Sequence, residues 1–182
     1  MHDIQQVLKL LLNLVGSENN EHTHYFLQMA VKGVVEKVLT WNDPRNSQGG
    51  GYYSIEIDVL IMKIFFNLVN SGSSFDSFDN LLSEQHFWLL QRFASLLSHS
   101  NMDVRRESLS LFTSILRSRL LPLDAKHVLL QRLDLIRTGL YMLQHDAASI
   151  TVVLTLNMLE SCFYKEADEL QKKLRKWEKH HD

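Results

Sequence analysis

Residues that break helices are scarce in this chain, and they are confined to a few places. The 182 residues include only two prolines, Pro44 and Pro122, and seven glycines. A β-sandwich or a β-barrel needs turn residues at short, regular intervals, so the long uninterrupted stretches argue against both. Apolar residues recur in these stretches at intervals of three and four, which is the period of a helix with one buried face. The sequence therefore predicts an all-α fold.

Helical periodicity, together with the residues that start and stop helices, predicts about eight helices. They span approximately residues 3–15, 22–41, 53–70, 84–98, 102–119, 123–144, 146–161 and 163–180. Residues 42–52 contain Pro44 and three successive glycines, which predicts a flexible loop. Residues 71–83 are predicted to be a linker with a short helical turn. No strong breaker separates the sixth and seventh helices, so their boundary at His145 and Asp146 stays open.

The composition is typical of a folded protein that carries no dominant charge. Hydrophobic residues make up 45% of the chain, which is too many for a disordered protein. The formal net charge is −2, so no global positive field would attract nucleic acid or an anionic membrane. No stretch approaches the roughly 20 apolar residues that cross a bilayer, and Lys9 interrupts the apolar N-terminal run. The single cysteine, Cys162, excludes an intramolecular disulfide, and we expect a reducing cytoplasmic or nuclear location.

The segment 87–116 is the most informative part of the sequence, and it reads FWLLQRFASLLSHSNMDVRRESLSLFTSIL. A leucine-rich first helix ends in a short polar turn, and Asp103-Val104-Arg105 begins a second helix. Two helices joined by so short a turn must lie nearly antiparallel. The segment resembles one unit of the armadillo/HEAT family, in which an acidic residue precedes Val-Arg at the start of the second helix. This resemblance implies an armadillo/HEAT-like right-handed solenoid of stacked helical pairs.

A partial copy of this unit follows 45 residues later, when Leu154 and Leu156 are aligned with Leu109 and Leu111. The copy has no arginine at the position of Arg105. Residues 4–41 and 55–70 resemble further units more loosely. The resemblance implies a single helical-repeat domain over residues 1–182, expected to be part of a longer protein, and an irregular helical bundle is the alternative. The general sequence pattern of the chain also resembles that of rotatin-like scaffolds of centrioles and cilia.

Sequence patterns of catalytic sites do not occur in this chain. Three glycines at 49–51 are followed by Tyr52 rather than by the Lys-Ser/Thr of a phosphate-binding loop. Neither a Gly-x-Ser-x-Gly elbow nor a His-Glu-x-x-His zinc helix is present. His22 and His24 are two positions apart and would point to different faces of a helix. We therefore expect no catalytic residue, no cofactor and no metal site.

The expected function is that of a non-catalytic scaffold or adaptor, which binds a helix or an extended peptide of another protein. The expected partner contacts are aromatic, basic and apolar residues, namely Tyr52, Tyr53, Arg105, Arg106, Lys173, Leu174, Lys176 and Trp177. No membrane partner is expected. The alternative function is a nucleic-acid-associated helical-repeat module, in which arginines in the middle of the chain would contact phosphates. These central arginines are Arg105, Arg106, Arg117, Arg119, Arg132 and Arg137.

An apolar seam runs along the last predicted helix. Its members recur at alternating intervals of four and three, and they are Phe163, Ala167, Leu170, Leu174 and Trp177. Charged residues surround them, with Asp168–Lys172 and Glu169–Lys173 in the favourable i,i+4 order. This seam either docks on the preceding helical pair or packs on another chain, and self-association through it is one of the possibilities.

Overall fold

The computed structural model describes residues 2–16, 33–34, 37–38, 42, 53–70, 84–118, 121–146 and 148–178. It confirms the all-α fold, since these residues form helices and turns and none of them forms a β-strand. The chain divides into two compact units, Met1–Phe75 and Asp76–Asp182. The single helical-repeat domain stays a prediction. The second predicted helix lies largely outside the described residues, as do the glycine-rich loop and the linker at 71–83.

The first unit contains two described helices that pack on each other, α1 (His2–Gly16) and α2 (Ile55–Asn70). Both were predicted, within two residues at each end. α1 buries Leu8 and Val15, while Val7 and Leu10 stay exposed. α2 has acidic residues in its first turn, where they favour the positive end of the helix dipole. It buries seven residues on one broad face: Ile57, Asp58, Ile61, Met62, Ile64, Phe65 and Leu68.

The second unit begins with the predicted helical hairpin. α3 (Glu84–Ser95) continues into a 3₁₀ turn at Leu96–Ser98, and α4 spans Met102–Arg117. Asn101 caps α4, because its side-chain oxygen accepts the Asp103 N–H at 2.8 Å. Across the hairpin, the buried Ser108 hydroxyl donates to the Phe93 carbonyl oxygen at 2.8 Å. The structure thus confirms the antiparallel helix pair expected over residues 87–116.

The predicted sixth helix is wrong, because residues 123–144 form two helices. α5 spans Leu123–Arg132 and α6 spans Leu135–His145. Between them Asp134 adopts a left-handed conformation, with φ 50° and ψ 37°. Aspartate tolerates this region better than most residues, and no proline or glycine marks the break in the sequence. On a continuous helix Leu133 and Leu135 would point about 200° apart, whereas the bend leaves both buried.

The separate seventh and eighth helices are also wrong. One continuous 30-residue helix, α7, spans Ser149–Glu178. No glycine or proline interrupts this stretch, and the buried hydroxyls of Thr155 and Ser161 are bonded to the helix itself. The Thr155 hydroxyl donates to the Thr151 carbonyl oxygen at 2.7 Å, and the Ser161 hydroxyl donates to the Asn157 carbonyl oxygen at 2.6 Å. The helix can therefore pass through Ser161–Phe163, where the sequence suggested a junction.

Both α4 and α6 pack against α7. Arg105 near the start of α4 pairs with Asp146 just before α7, and Arg117 at the end of α4 reaches Glu160, so α4 and α7 run parallel. α6 runs antiparallel to α7 because a short turn joins them. Their backbones approach closely at Gly139, where a Cβ atom would lie 2.8 Å from Leu159 Cδ2.

Candidate protein interface

A buried cluster of hydrogen bonds holds the start of α2. The Asn42 Oδ1 accepts the Ser54 N–H at 2.7 Å, and its Nδ2 donates to the Ser54 carbonyl oxygen at 2.9 Å. The same Nδ2 donates to Asp58 Oδ1 at 3.0 Å. Asn42 and Asp58 are fully buried, so water does not compete for these bonds. The cluster ties residue 42 to the N-terminus of α2.

Tyr53, a predicted partner contact, belongs to this cluster. Its hydroxyl donates to Asp58 Oδ2 at 3.2 Å, and the residue is half-buried. The Tyr53 hydroxyl is therefore hydrogen-bonded inside the first unit, where it provides a partner for the buried Asp58 carboxylate. Tyr52, the neighbouring predicted contact, lies outside the described residues.

Arg105 and Arg106 were predicted as a pair, but the structure places them in different environments. Arg105 Nη2 lies 2.8 Å from Asp146 Oδ2, and the two side chains are only 16% and 12% exposed. Its Nη1 also donates to the carbonyl oxygens of His99 and Ser100, at 2.8 and 2.9 Å. Arg105 therefore fastens the turn of the first hairpin to the start of α7. Arg106 lies at the surface, 3.3 Å from Asp103.

The other central arginines also have contacts within the second unit. Arg117 Nε donates to the Ser161 hydroxyl at 2.8 Å, and its Nη2 lies 2.7 Å from Glu160 Oε2. The guanidinium carbon of Arg132 lies 3.8 Å from the centre of the Phe87 ring, which is a cation–π contact. Arg119 lies outside the described residues. Arginines that hold helices together in this way are less available to phosphates than the sequence suggested.

The C-terminal predicted contacts lie on α7. The backbone of Lys173, Leu174, Lys176 and Trp177 is helical, and their side chains lie outside the described part of the structure. Nearer the middle of the helix, Phe163 and Tyr164 are 57% and 54% exposed. Phe163 is the first member of the predicted seam. The structure therefore exposes that end of the seam.

An apolar outer stripe on α7, formed by Ile150, Val153 and Leu156, was missed by the sequence analysis. These side chains are 45%, 52% and 51% exposed. The 13 residues between Asp146 and Glu160 include no charged residue, so nothing in this part of the helix favours water strongly. A surface helix usually carries charges on its outer face, and one that is apolar all round is usually covered. The uncharged run was the signal that could have revealed this surface.

The inner face of the same segment explains why the stripe was missed. Thr151 and Thr155 are fully buried, together with Met158, Ser161 and Cys162. The alignment of Leu154 and Leu156 with the core leucines of α4 is therefore wrong at Leu156, which points outward. In this part of α7 threonines face the core and aliphatic residues face outward, the reverse of the usual pattern.

A second exposed apolar area lies on α6, where Leu140 and Tyr141 are 52% and 56% exposed. The Tyr141 ring lies against the His145 ring, with 4.3 Å between their centres. A surface depression runs along this helix and is lined by Asp134, Ile136, Arg137, Leu140, Tyr141 and Gln144. The depression is mostly apolar and carries the Asp134–Arg137 pair at one end.

The described residues hold neither a metal-ligating cluster nor a membrane-spanning helix. Across the described residues, no group of histidine, cysteine, aspartate and glutamate side chains could hold a metal ion. None of the helices in this part of the chain combines the length and apolar character needed to cross a membrane. Comparison of the chain with protein-family models, curated proteins and solved structures gives no match.

Proposed function

We propose that the chain is a non-catalytic interaction module, in which an array of helical pairs binds a helix of another protein. The single observation that carries this proposal is the outer stripe of α7, Ile150, Val153 and Leu156. All three side chains are about half exposed in a helical segment that has no charged residue. Covering the exposed halves would contribute roughly 1 kcal/mol for each side chain.

The parallel packing of α4 and α7 supports the armadillo/HEAT-like solenoid as part of this proposal. Asp146 follows its partner Arg105 by 41 residues, and Glu160 follows Arg117 by 43. These offsets lie within the repeat length of about 40–47 residues of such arrays. Equivalent helices of neighbouring repeats are then expected to lie side by side and parallel, as α4 and α7 do. The irregular bundle remains the alternative architecture.

A helix suits the outer stripe better than an extended peptide does. The stripe side chains are three residues apart and form a ridge that can enter the groove of a second helix. An extended peptide gains much of its affinity from main-chain hydrogen bonds to a sheet edge. The described residues offer no such edge. The proposed partner segment is therefore an amphipathic helix with an uncharged apolar face of about three turns.

The nucleic-acid alternative has less support. Arg105 is mostly buried in its pair with Asp146, and Arg117 is bonded to Glu160 and Ser161. Phosphate binding would have to compete with these internal contacts. The net charge of −2 also provides no long-range attraction. A steep fall of binding with salt, in the absence of any protein partner, would favour this alternative.

Site-specific photocrosslinking followed by an affinity measurement tests the proposal. A photoreactive residue at Leu156 should capture a partner that the same residue at Gln131, an exposed polar position on α5, does not. A peptide covering the captured helix is then titrated against the wild type, Val153→Glu and Gln131→Glu. We expect Val153→Glu to weaken binding at least about tenfold, because it buries a charge in an apolar contact. Equal affinity for all three proteins would refute the proposed surface.

A further inference from the structure

The C-terminal half of α7 extends past the end of α4. Arg117, the last residue of α4, contacts Glu160 and Ser161, and α7 continues to Glu178. The remaining 17 residues span about 25 Å at the rise of an α-helix. Because the helix is continuous, the seam cannot dock on the first half of α7, which was predicted as one helix of the preceding pair.

The continuous helix brings the apolar seam into one register. Phe163, Ala167, Leu170, Leu174 and Trp177 occupy alternating positions of a heptad repeat along it. The same register also includes the exposed Leu156 and Val153, but Glu160 occupies the position between Leu156 and Phe163, so the apolar seam itself begins at Phe163. Phe163 at the start of the seam is exposed as well. A seam of this kind is typical of a helix that pairs with another helix.

The charges on the two sides of the seam's midpoint are opposite. Between Glu160 and Glu169 the chain carries four acidic residues and one lysine, whereas between Lys172 and Lys179 it carries five basic residues and one glutamate. A parallel pair of these segments would place like charges together. An antiparallel pair would place each acidic segment beside a basic one. The occupant that fits this seam is therefore a second copy of the same segment.

We propose that two copies of this chain pair in antiparallel fashion through residues 163–177 of α7. The heptad positions set the register: Phe163 lies opposite Leu174 of the second copy, and Ala167 lies opposite Leu170. Glu166 then lies beside Lys173 of the second copy, and the two-fold symmetry repeats this pair. A shift by one heptad would bring the two Lys173 residues together instead. The charges therefore select one register as well as one orientation.

Sedimentation equilibrium over a wide concentration range tests the pairing with the full chain. We expect the wild type to approach twice the 21.2 kDa monomer mass as concentration rises. Glu166→Lys alone and Lys173→Glu alone each place like charges together twice in the dimer, and each is expected to stay monomeric. An equimolar mixture of these two variants should form a mixed dimer, since every pair is again opposite in charge.

Lys172→Glu is the matched control, because it makes the same charge change at an exposed position on the side of the helix away from the seam. It is expected to dimerise like the wild type. A parallel pair would not be restored by mixing Glu166→Lys with Lys173→Glu, so a monomeric mixture overturns the proposal. A wild type that stays monomeric at every concentration also overturns it. Val153→Glu separates this proposal from the proposed function, because it removes partner binding and leaves the dimer intact.

Discussion

The two long helices of the second unit, α4 and the first half of α7, lie side by side but distribute their residues in opposite ways. α4 buries its aliphatic and aromatic residues, Phe112 and Leu109 among them, and exposes Asp103, Arg106 and Arg117. α7 buries Thr151 and Thr155 and exposes aliphatic residues. The apolar face of α4 is thus covered within the unit, whereas α7 leaves a second apolar face exposed. Apolar residues in a helix identify a surface to be covered, and they do not identify what covers it.

Replacement of one apolar residue on each helix by alanine should give the largest difference in the free energy of unfolding. Phe112 is fully buried, so Phe112→Ala should lower the free energy of unfolding by about 3–5 kcal/mol. Leu156 is half exposed, and Leu156→Ala should change it by no more than about 0.5 kcal/mol. Chemical denaturation followed by circular dichroism measures both. Similar losses for the two variants would mean that Leu156 is a core residue after all.

The two ion pairs between α4 and the α7 region should also contribute unequally to stability, with the buried pair contributing more than the exposed one. Arg105→Ala removes a mostly buried pair and two bonds to carbonyl oxygens, and it should cost about 2–3 kcal/mol of stability. Arg117→Ala should cost about 0.5 kcal/mol, because Arg117 and Glu160 are 45% and 69% exposed. Denaturation at low and high salt checks both values. A strong salt dependence at Arg105 would contradict its burial.

A buried threonine offers the most direct test of the unusual inner face of α7. Within the described residues, the fully buried Thr151 hydroxyl has no hydrogen-bond partner. Thr151→Val replaces that hydroxyl by a methyl group of similar size, and it should raise stability by about 1 kcal/mol. Serine at this position provides the control, since it keeps the hydroxyl and loses the methyl group. A loss of stability in the valine variant would indicate that the hydroxyl is satisfied in solution.

The sequence predicted the α3–α4 hairpin well because local signals agreed there. Asn101 is a strong helix cap, Asp103 favours the helix start, and the apolar period is unbroken. The break at Asp134 and the continuity through Ser161 were predicted wrongly. In both places the local residues are compatible with a continuous helix and with a break between two helices. Burial of Leu133 and Leu135 favours the bend, and hydroxyl bonds to the helix carbonyls accommodate Ser161.

The candidate site was only partly predictable for a similar reason. Arg105 and Arg106 are neighbours with the same chemistry, but α4 turns one toward Asp146 and the other toward solvent. Their difference depends on the position of Asp146, which lies 41 residues after Arg105 in the chain and just before α7. The seam from Phe163 to Trp177 could be predicted from the spacing of its apolar residues in the sequence alone. Its availability for a second chain depends on the continuity of α7.

The helical nature of the chain was decided by its residues, since the apolar period and the scarcity of breakers are local properties that any tertiary arrangement must respect. The tertiary structure decided which face of each helix is covered. Threonine and leucine are both compatible with a helix, and their burial depends on the neighbours that pack against them. For this reason the outer stripe of α7 and the extension of the helix beyond Ser161 could be identified only from the packing of α4 and α6 against α7.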